Sequence, residues 1–544
     1  MLHLPRVRRG RFQRAAVAAA ACAAASAGWA ADLPSGNPDL ELRWDNTLKY
    51  SAAWRVKEQS AGLTGLPAAI NQDDGDRNFD KGLISNRLDL LTEFDAVYAR
   101  RYGLRLSGAG WYDQVYESSN DNPGLSQNQT SVPYNEFTAA TRRLHGRKVD
   151  LLDAFVFAGV DLGSAKLNVR LGRHSLQWGE SLFFGANAIA GAMAPVDVIK
   201  LQSVPNTQFK EAIRPVPQLS AQLQLTRKVS LGAYYQFQWE ANRLPAVGSY
   251  FSSQDMLPDG AERIRLGPVL SAPRLADMKP KDRGQGGVQL RFQGDEVDYG
   301  LYLVRFHSKS PGPVPVLLSP QAPLPIGYYQ VYHQGIVALG ASASRTFGDV
   351  NVALEGSLRR NQDLASTAGA EFGAVTHDNS GNPAYAVGKT AHLNLSTIWT
   401  VPSTPVFPEA SLTGEVIWNR TLSVTKNAYA LDPKSTRDAY AMRVLFEPTY
   451  RQVLPGLDLS VPVGVGYSPR GSRSRALGLA LPPENGGDFT LGLNASYLDV
   501  WRFSLAYTTF FGAEALALDA ANHFNWKQSL KDRDFVAFSV RRSF

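Results

Sequence analysis

Between Leu40 and Lys57 the chain alternates for 18 positions. Leu40, Leu42, Trp44, Leu48, Tyr50, Ala52, Trp54 and Val56 fall in one phase. Glu41, Arg43, Asp45, Thr47, Lys49, Ser51, Arg55 and Lys57 fall in the other. A two-residue period sends successive side chains to opposite faces of a strand. Strands of soluble domains usually run to about 5–6 residues. One this long, with a whole face charged or hydroxylated, fits a wall with lipid on one side and water on the other.

The pattern recurs in about 18 segments, among them Leu88–Tyr98, Leu104–Tyr112, Leu231–Trp239, Val350–Leu358, Ala410–Trp418, Leu457–Tyr467 and Trp501–Phe511. Long and short links take turns between them. Short ones fall at 100–101, 227–228 and 347–349; long ones include 58–84, 117–148, 179–216 and 361–387. Such alternation predicts an all-β, antiparallel, up-and-down transmembrane barrel, with short periplasmic turns, long extracellular loops and both termini periplasmic. Aromatics at strand ends, such as Trp44, Tyr112, Trp399 and Trp501, suit girdles at the two interfaces. The chain closes on Phe538, Val540 and Phe544 in one phase, with Phe as its last residue. That resembles the terminal strand recognised by the barrel assembly machinery.

Residues 1–30 read as a secretory signal peptide: five arginines, an Ala-rich run, and small residues at Gly28 and Ala30. The barrel is then expected over 31–544. The Ala-rich run is too short for a transmembrane helix, which needs about 20 apolar residues. Cleavage leaves 51 basic against 49 acidic side chains and removes Cys22, the one cysteine. Near-neutral charge gives no reason to expect nucleic-acid binding, and a cysteine-free chain has no disulfide or thiolate metal site.

One stretch breaks the alternation. Residues 182–201 are apolar, small and Gly-rich, with Phe183 and Phe184 near their start. Apolar surface in a wet loop needs cover, and the lumen offers it. The segment is therefore expected to fold inward. Arg170, Arg173, His174, Trp178, Glu180, Asp197, Lys200, Lys210 and Glu211 surround it. They are expected to pin it or to form a polar constriction on the substrate pathway. Inward-phase charges elsewhere are mixed: Arg43, Arg105, Arg359 and Arg443 against Asp95, Glu355, Glu415 and Glu447. Mixed signs point to pairing across strands rather than to a single-sign ion filter.

The run Arg170-Leu171-Gly172-Arg173-His174-Ser175-Leu176-Gln177-Trp178-Gly179-Glu180-Ser181 resembles a signature of the domain-of-unknown-function 1302 family of Gram-negative outer-membrane proteins. So do Pro195–Leu201, Lys210–Pro217 and Asn242–Ser252; His174 and Ala194 stand where the family pattern has Gln and Asn. The resemblance implies an outer-membrane barrel working beside RND-type transporters of hydrophobic molecules.

No enzyme or cofactor motif stands out. His392 and Ser396 share a strand face, but four residues of strand separate them by roughly 13 Å. The loop Asn71–Asp76 offers oxygen ligands for calcium. With Gly75 as the sixth residue of an EF-hand, however, Ile70 would be the first ligand, so an acidic, solvated loop is the expectation. The expected function is passage of small hydrophobic or amphipathic molecules across the outer membrane. The alternatives are a structural or partner-binding component of a trans-envelope transport system and, more weakly, a barrel hydrolase.

Overall fold

The computed structural model describes residues 31–204, 208–257, 259–267, 269–312, 315–321, 324–367 and 369–544; the expected signal peptide lies outside them. Eighteen strands form the wall. They are β1 (Leu40–Arg55), β2 (Gly82–Tyr98), β3 (Tyr102–Asp113), β4 (Arg147–Leu162), β5 (Ala165–His174), β6 (Val216–Gln224), β7 (Val229–Gln236), β8 (Gln285–Gln293) and β9 (Asp298–Phe306). There follow β10 (Ile336–Phe347), β11 (Val350–Asp363), β12 (Val387–Val401), β13 (Glu409–Lys426), β14 (Asp438–Leu454), β15 (Leu457–Ser460 continued by Val463–Ser468), β16 (Gly486–Tyr497), β17 (Trp501–Phe511) and β18 (Phe535–Ser543).

Each strand pairs antiparallel with the next, and β18 closes on β1 from Thr47↔Ser543 to Arg55↔Phe535. The seam ends with Phe544, whose backbone exchanges hydrogen bonds of 2.7 and 2.8 Å with Asn46. Below it, a short strand, Ala31–Leu33, pairs with β1 from Ala31↔Trp44 to Leu33↔Leu42 and covers backbone that β18 leaves free. Phe538 and Val540 stand opposite Leu505 and Phe503, whose side chains are exposed on the outer face.

The phase of each strand decides which way it faces. On β9, Leu301 and Leu303 are 54% and 48% exposed, while Tyr302 and Val304 between and beyond them are 3% and 0% exposed. Leu90, Val156, Leu339, Leu358, Leu395, Val416 and Leu493 repeat the outward, exposed apolar phase around the wall. An apolar belt that encircles a closed barrel is stable only in lipid. Among the described residues no helix is long and apolar enough to cross a membrane, so the strands cross it.

Links alternate as the sequence implied: eight short ones, from 99–101 to 498–500, and nine long ones. Two short turns use left-handed backbone without glycine, at Ala99-Arg100 (φ 50° and 55°) and Leu498-Asp499 (φ 52° and 57°). Positive φ at both central residues matches the twist of the strands they join. The long links pack into a cap at the other end, with Phe79, Tyr116, Phe137, Tyr250 and Phe535 at one of its centres.

Three local expectations need correction. The strand read as Leu231–Trp239 stops at Gln236, and Trp239 packs against Tyr332 inside the links, ring centres 4.9 Å apart. The strand read as Leu457–Tyr467 breaks at Val461-Pro462, because Pro462 has no N–H for the ladder. The acidic loop is not solvated: Asp73, Asp74 and Asp76 are 0%, 0% and 1% exposed.

Candidate functional site

The link between β5 and β6 folds into the lumen. It has few polar side chains from 182 to 194, so its backbone takes partners from the inward face of the wall. One carboxylate oxygen of Glu415 on β13 accepts three successive amides, from Leu182 (3.2 Å), Phe183 (2.5 Å) and Phe184 (2.8 Å). Its other oxygen takes the Asn394 side-chain amide at 2.7 Å. Glu355 on β11 accepts Glu180 N–H at 2.7 Å and Ile189 N–H at 2.6 Å. Arg359, four residues further along β11 on the same face, donates to the carbonyls of Ala186, Asn187 and Ala188.

Asn187 completes the mooring. It is fully buried, donates to the Leu393 carbonyl (3.0 Å) and Asn394 (2.9 Å), and meets His392 Nδ1 at 3.0 Å. On the far flank Lys309 donates to the Ala192 carbonyl at 2.9 Å. Charged groups that accept or donate to a buried backbone make the stronger class of hydrogen bond, so these moorings outweigh ordinary amide pairs.

Apolar packing adds to them. Trp178, Ile189, Ala192 and Met193 bury against Tyr234 on β7, Tyr302, Val304 and Phe306 on β9, and Ile336 and Ala338 on β10. Trp178 sits edge-on to Tyr234, ring centres 5.1 Å apart. Two glycines permit the close fit. A Cβ on Gly191 would lie 2.5 Å from the Gly185 carbonyl oxygen, and one on Gly340 would lie 2.7 Å from Ile189 Cδ1. Burying side chains such as Ile189 and Met193 is worth ~1.5–3 kcal/mol each.

Beyond Met193 the link turns back on itself. Val196 bridges Ile213, and Ala190, Val196, Phe209 and Ala212 form a small core of its own. Asp197 caps the helix Val198–Ser203 and pairs with Arg243 at 2.8 Å. Lys200 donates to the Glu211 carbonyl at 2.7 Å, and the Glu211 carboxylate accepts the Gln208 amide at 3.2 Å. Lys200, Lys210 and Glu211 are exposed. Lys200 acts electrostatically on Lys49 of β1, and Glu211 on Arg541 of β18. The hairpin thus reaches from its β7–β13 moorings toward the seam, where Lys49, Arg541 and Arg502 occupy one row of the ladder.

The remaining expected site residues divide. Phe183 lies under Arg443, whose guanidinium carbon is 6.0 Å from its ring centre. Burial raises the Glu180 carboxyl above its usual range, opposed by Arg291 and reinforced by Asp298; only its amide is moored to Glu355. Among the described residues Arg173 forms no hydrogen bond or ion pair with the 182–201 segment. It pairs with Glu240 at 2.6 Å, which also holds Arg214 at 3.2 Å.

Arg170 and His174 line a separate luminal pocket of about 530 Å³ with Phe155, Phe157, Asn168 and Arg105. Arg170 lies 5.7 Å over the Phe155 ring. His174 is held by Ser220 (2.8 Å) and the Gly172 carbonyl (3.1 Å). Arg105 is engaged by Glu93, Asp95 and Asp153, which leaves Arg170 as the pocket's exposed cation.

Sequence reasoning missed the roles of Glu355, Arg359 and Glu415, which it read as cross-strand partners. Some luminal charges do pair that way, Arg443 with Asp488 among them. The signal for the others was the segment itself, since a buried backbone without side-chain partners needs charged or polar groups from the wall.

These features define a membrane-spanning β-barrel whose lumen is crossed by one of its own links. The chain belongs to the family described as protein of unknown function (DUF1302), whose model matches residues 11–544. No curated protein matches it. Among solved structures, it is similar to OccAB3 of Acinetobacter baumannii, with 8% identity over 92% of this chain and 99% of that one, at a TM-score of 0.44. It is similar to OccK1 (OpdK) of Pseudomonas aeruginosa, with 10% identity over 92% and 98% and a TM-score of 0.39. A Salmonella typhi OmpF complex with daunomycin shares 9% identity over 93% and 98%, at a TM-score of 0.34.

Proposed function

We propose that this protein is a channel of the Gram-negative outer membrane for small hydrophobic or amphipathic molecules, with residues 182–201 as its selectivity element. The observation that carries this reading is the mooring of an apolar link across the lumen by Glu355, Arg359 and Glu415. A wall of eighteen strands can enclose a water-filled channel. The link narrows it and gives the passage an apolar side. The pocket beside β4 and β5 offers two phenyl rings and one exposed guanidinium, which suits a molecule with an apolar body and a polar end. Short turns then face the periplasm and the cap faces outward.

Liposomes carrying the full chain test it. Aromatic amphipathic probes are expected to enter faster than sugars of equal size. The Phe155→Asp, Phe157→Asp double variant is expected to slow the probes about tenfold, roughly 1.4 kcal/mol in the barrier, and to leave the sugars unchanged. Equal, size-limited rates for both solutes in the wild-type protein would reject a selective passage.

A further inference from the structure

The buried acidic loop is unexplained by passage through the lumen. Asp73, Asp74 and Asp255 are each 0% exposed, and one carboxylate oxygen of each lies within 4.8 Å of the others. They come from two different long links, 56–81 and 237–284. A third link, 114–146, closes over them: Ser126 donates to Asp73 at 2.8 Å, and Asn128 N–H donates to Asp74 at 2.9 Å. Arg77 pairs with Asp73 at 2.5 Å. Among the described residues neither Asp74 nor Asp255 forms an ion pair. The neighbouring Asp76 belongs to a different group, with Arg55 at 2.7 Å and Arg533 at 3.1 Å.

Three oxygens at this point have no hydrogen-bond donor among the described residues: Asp74 Oδ1, Asp255 Oδ1 and Asn128 Oδ1. All three belong to residues at most 1% exposed. A buried acceptor without a donor is costly, and like charges brought together out of water are costlier. Arg77 balances Asp73, while the Asp74 and Asp255 carboxyls have no cation paired with them among the described residues. A divalent cation would balance both, and the unsatisfied atoms are hard oxygen donors of the kind calcium takes in flexible, irregular cages.

We propose that Asp73, Asp74 and Asp255 form a calcium site that joins three extracellular links of the cap. Asn128, whose backbone N–H donates to Asp74 and whose buried Oδ1 has no donor among the described residues, is the neutral oxygen ligand the proposal adds. The site is separate from the luminal pocket and acts on the cap.

The test uses the full chain purified in detergent, stripped with a chelator and then titrated with calcium chloride alone. One calcium per chain is expected, read by calorimetry and by elemental analysis after desalting. Calcium is also expected to slow proteolysis within links 56–81, 114–146 and 237–284 at least tenfold. The Asp74→Asn, Asp255→Asn double variant is expected to lose the bound metal while keeping the heat-modifiable migration of a folded barrel. Absence of stoichiometric calcium on the wild-type chain overturns the site, whatever the variant does. So does equal calcium binding by a folded double variant. Should the variant fail to fold, Asn128→Ala is expected to weaken binding at least fivefold, and an unchanged affinity there removes Asn128 and the proposed cage with it.

Discussion

Glu415 shows how much one side chain can decide. Its carboxylate accepts three consecutive amides and an Asn394 amide, all of which lose their acceptor at once in Glu415→Ala. Buried donors left unsatisfied cost about 1–3 kcal/mol each before relaxation. With partial relaxation, the link is expected to lose on the order of 3 kcal/mol of mooring, enough to raise its open population roughly a hundredfold. Single-channel recordings should show frequent large openings that the wild-type protein lacks. Glu180→Ala should not, because Glu180 contributes its amide rather than its side chain. An unaltered record for Glu415→Ala would mean that the Glu355 and Arg359 moorings and the packing of Trp178, Ile189 and Met193 hold the link without it.

At the scale of elements, the strands were legible and the link's moorings were not, for one physical reason. A strand's two-residue period is local, so Leu40–Arg55 announces itself without knowledge of its neighbours. Glu355 and Glu415 meet residues 180–189 only after β11 and β13 have taken their places in the wall, far away in sequence. The Asn71–Asp76 loop misled for the same reason: its aspartates are polar, and only the closure of the other links buries them. The cap carries a pH dependence of its own. His145 Nε2 accepts the Ala246 amide at 3.1 Å, so the ring must be neutral there. Burial, helped by Arg87 and Arg243, lowers its pKa to about 3, against about 6.5 in an unfolded chain. Its contribution is complete above pH ~6.5 and is lost as pH falls through the range toward the folded value. Proteolysis within links 114–146 and 237–284 is expected to quicken over that range. His145→Gln, which keeps an acceptor but gains no proton, should flatten the response, and an equal response in both would assign it to other groups.

The whole molecule combines a continuous wall with one link turned in and the others turned up. The orientation we propose, short turns inside and cap outside, rests on link length. Epitopes inserted at Val269 or Tyr429, which are 98% and 81% exposed on long links, are expected to label on intact cells. An epitope at Arg227-Lys228 should label only after permeabilisation; the reverse pattern would invert the barrel. The seam at Phe544 and the Ala31–Leu33 strand leaves little free edge, so the wall should tolerate changes inside it. That tolerance permits the most direct test of the claim that residues 182–201 restrict passage. Residues 183–194 are replaced by a short Gly-Ser bridge, and single-channel conductance is measured on the folded, heat-modifiable protein. A several-fold rise in conductance over the wild-type chain, with loss of preference for amphipathic probes, is the expected result. A correctly folded deletion protein with wild-type conductance would show that the segment does not lie on the pathway.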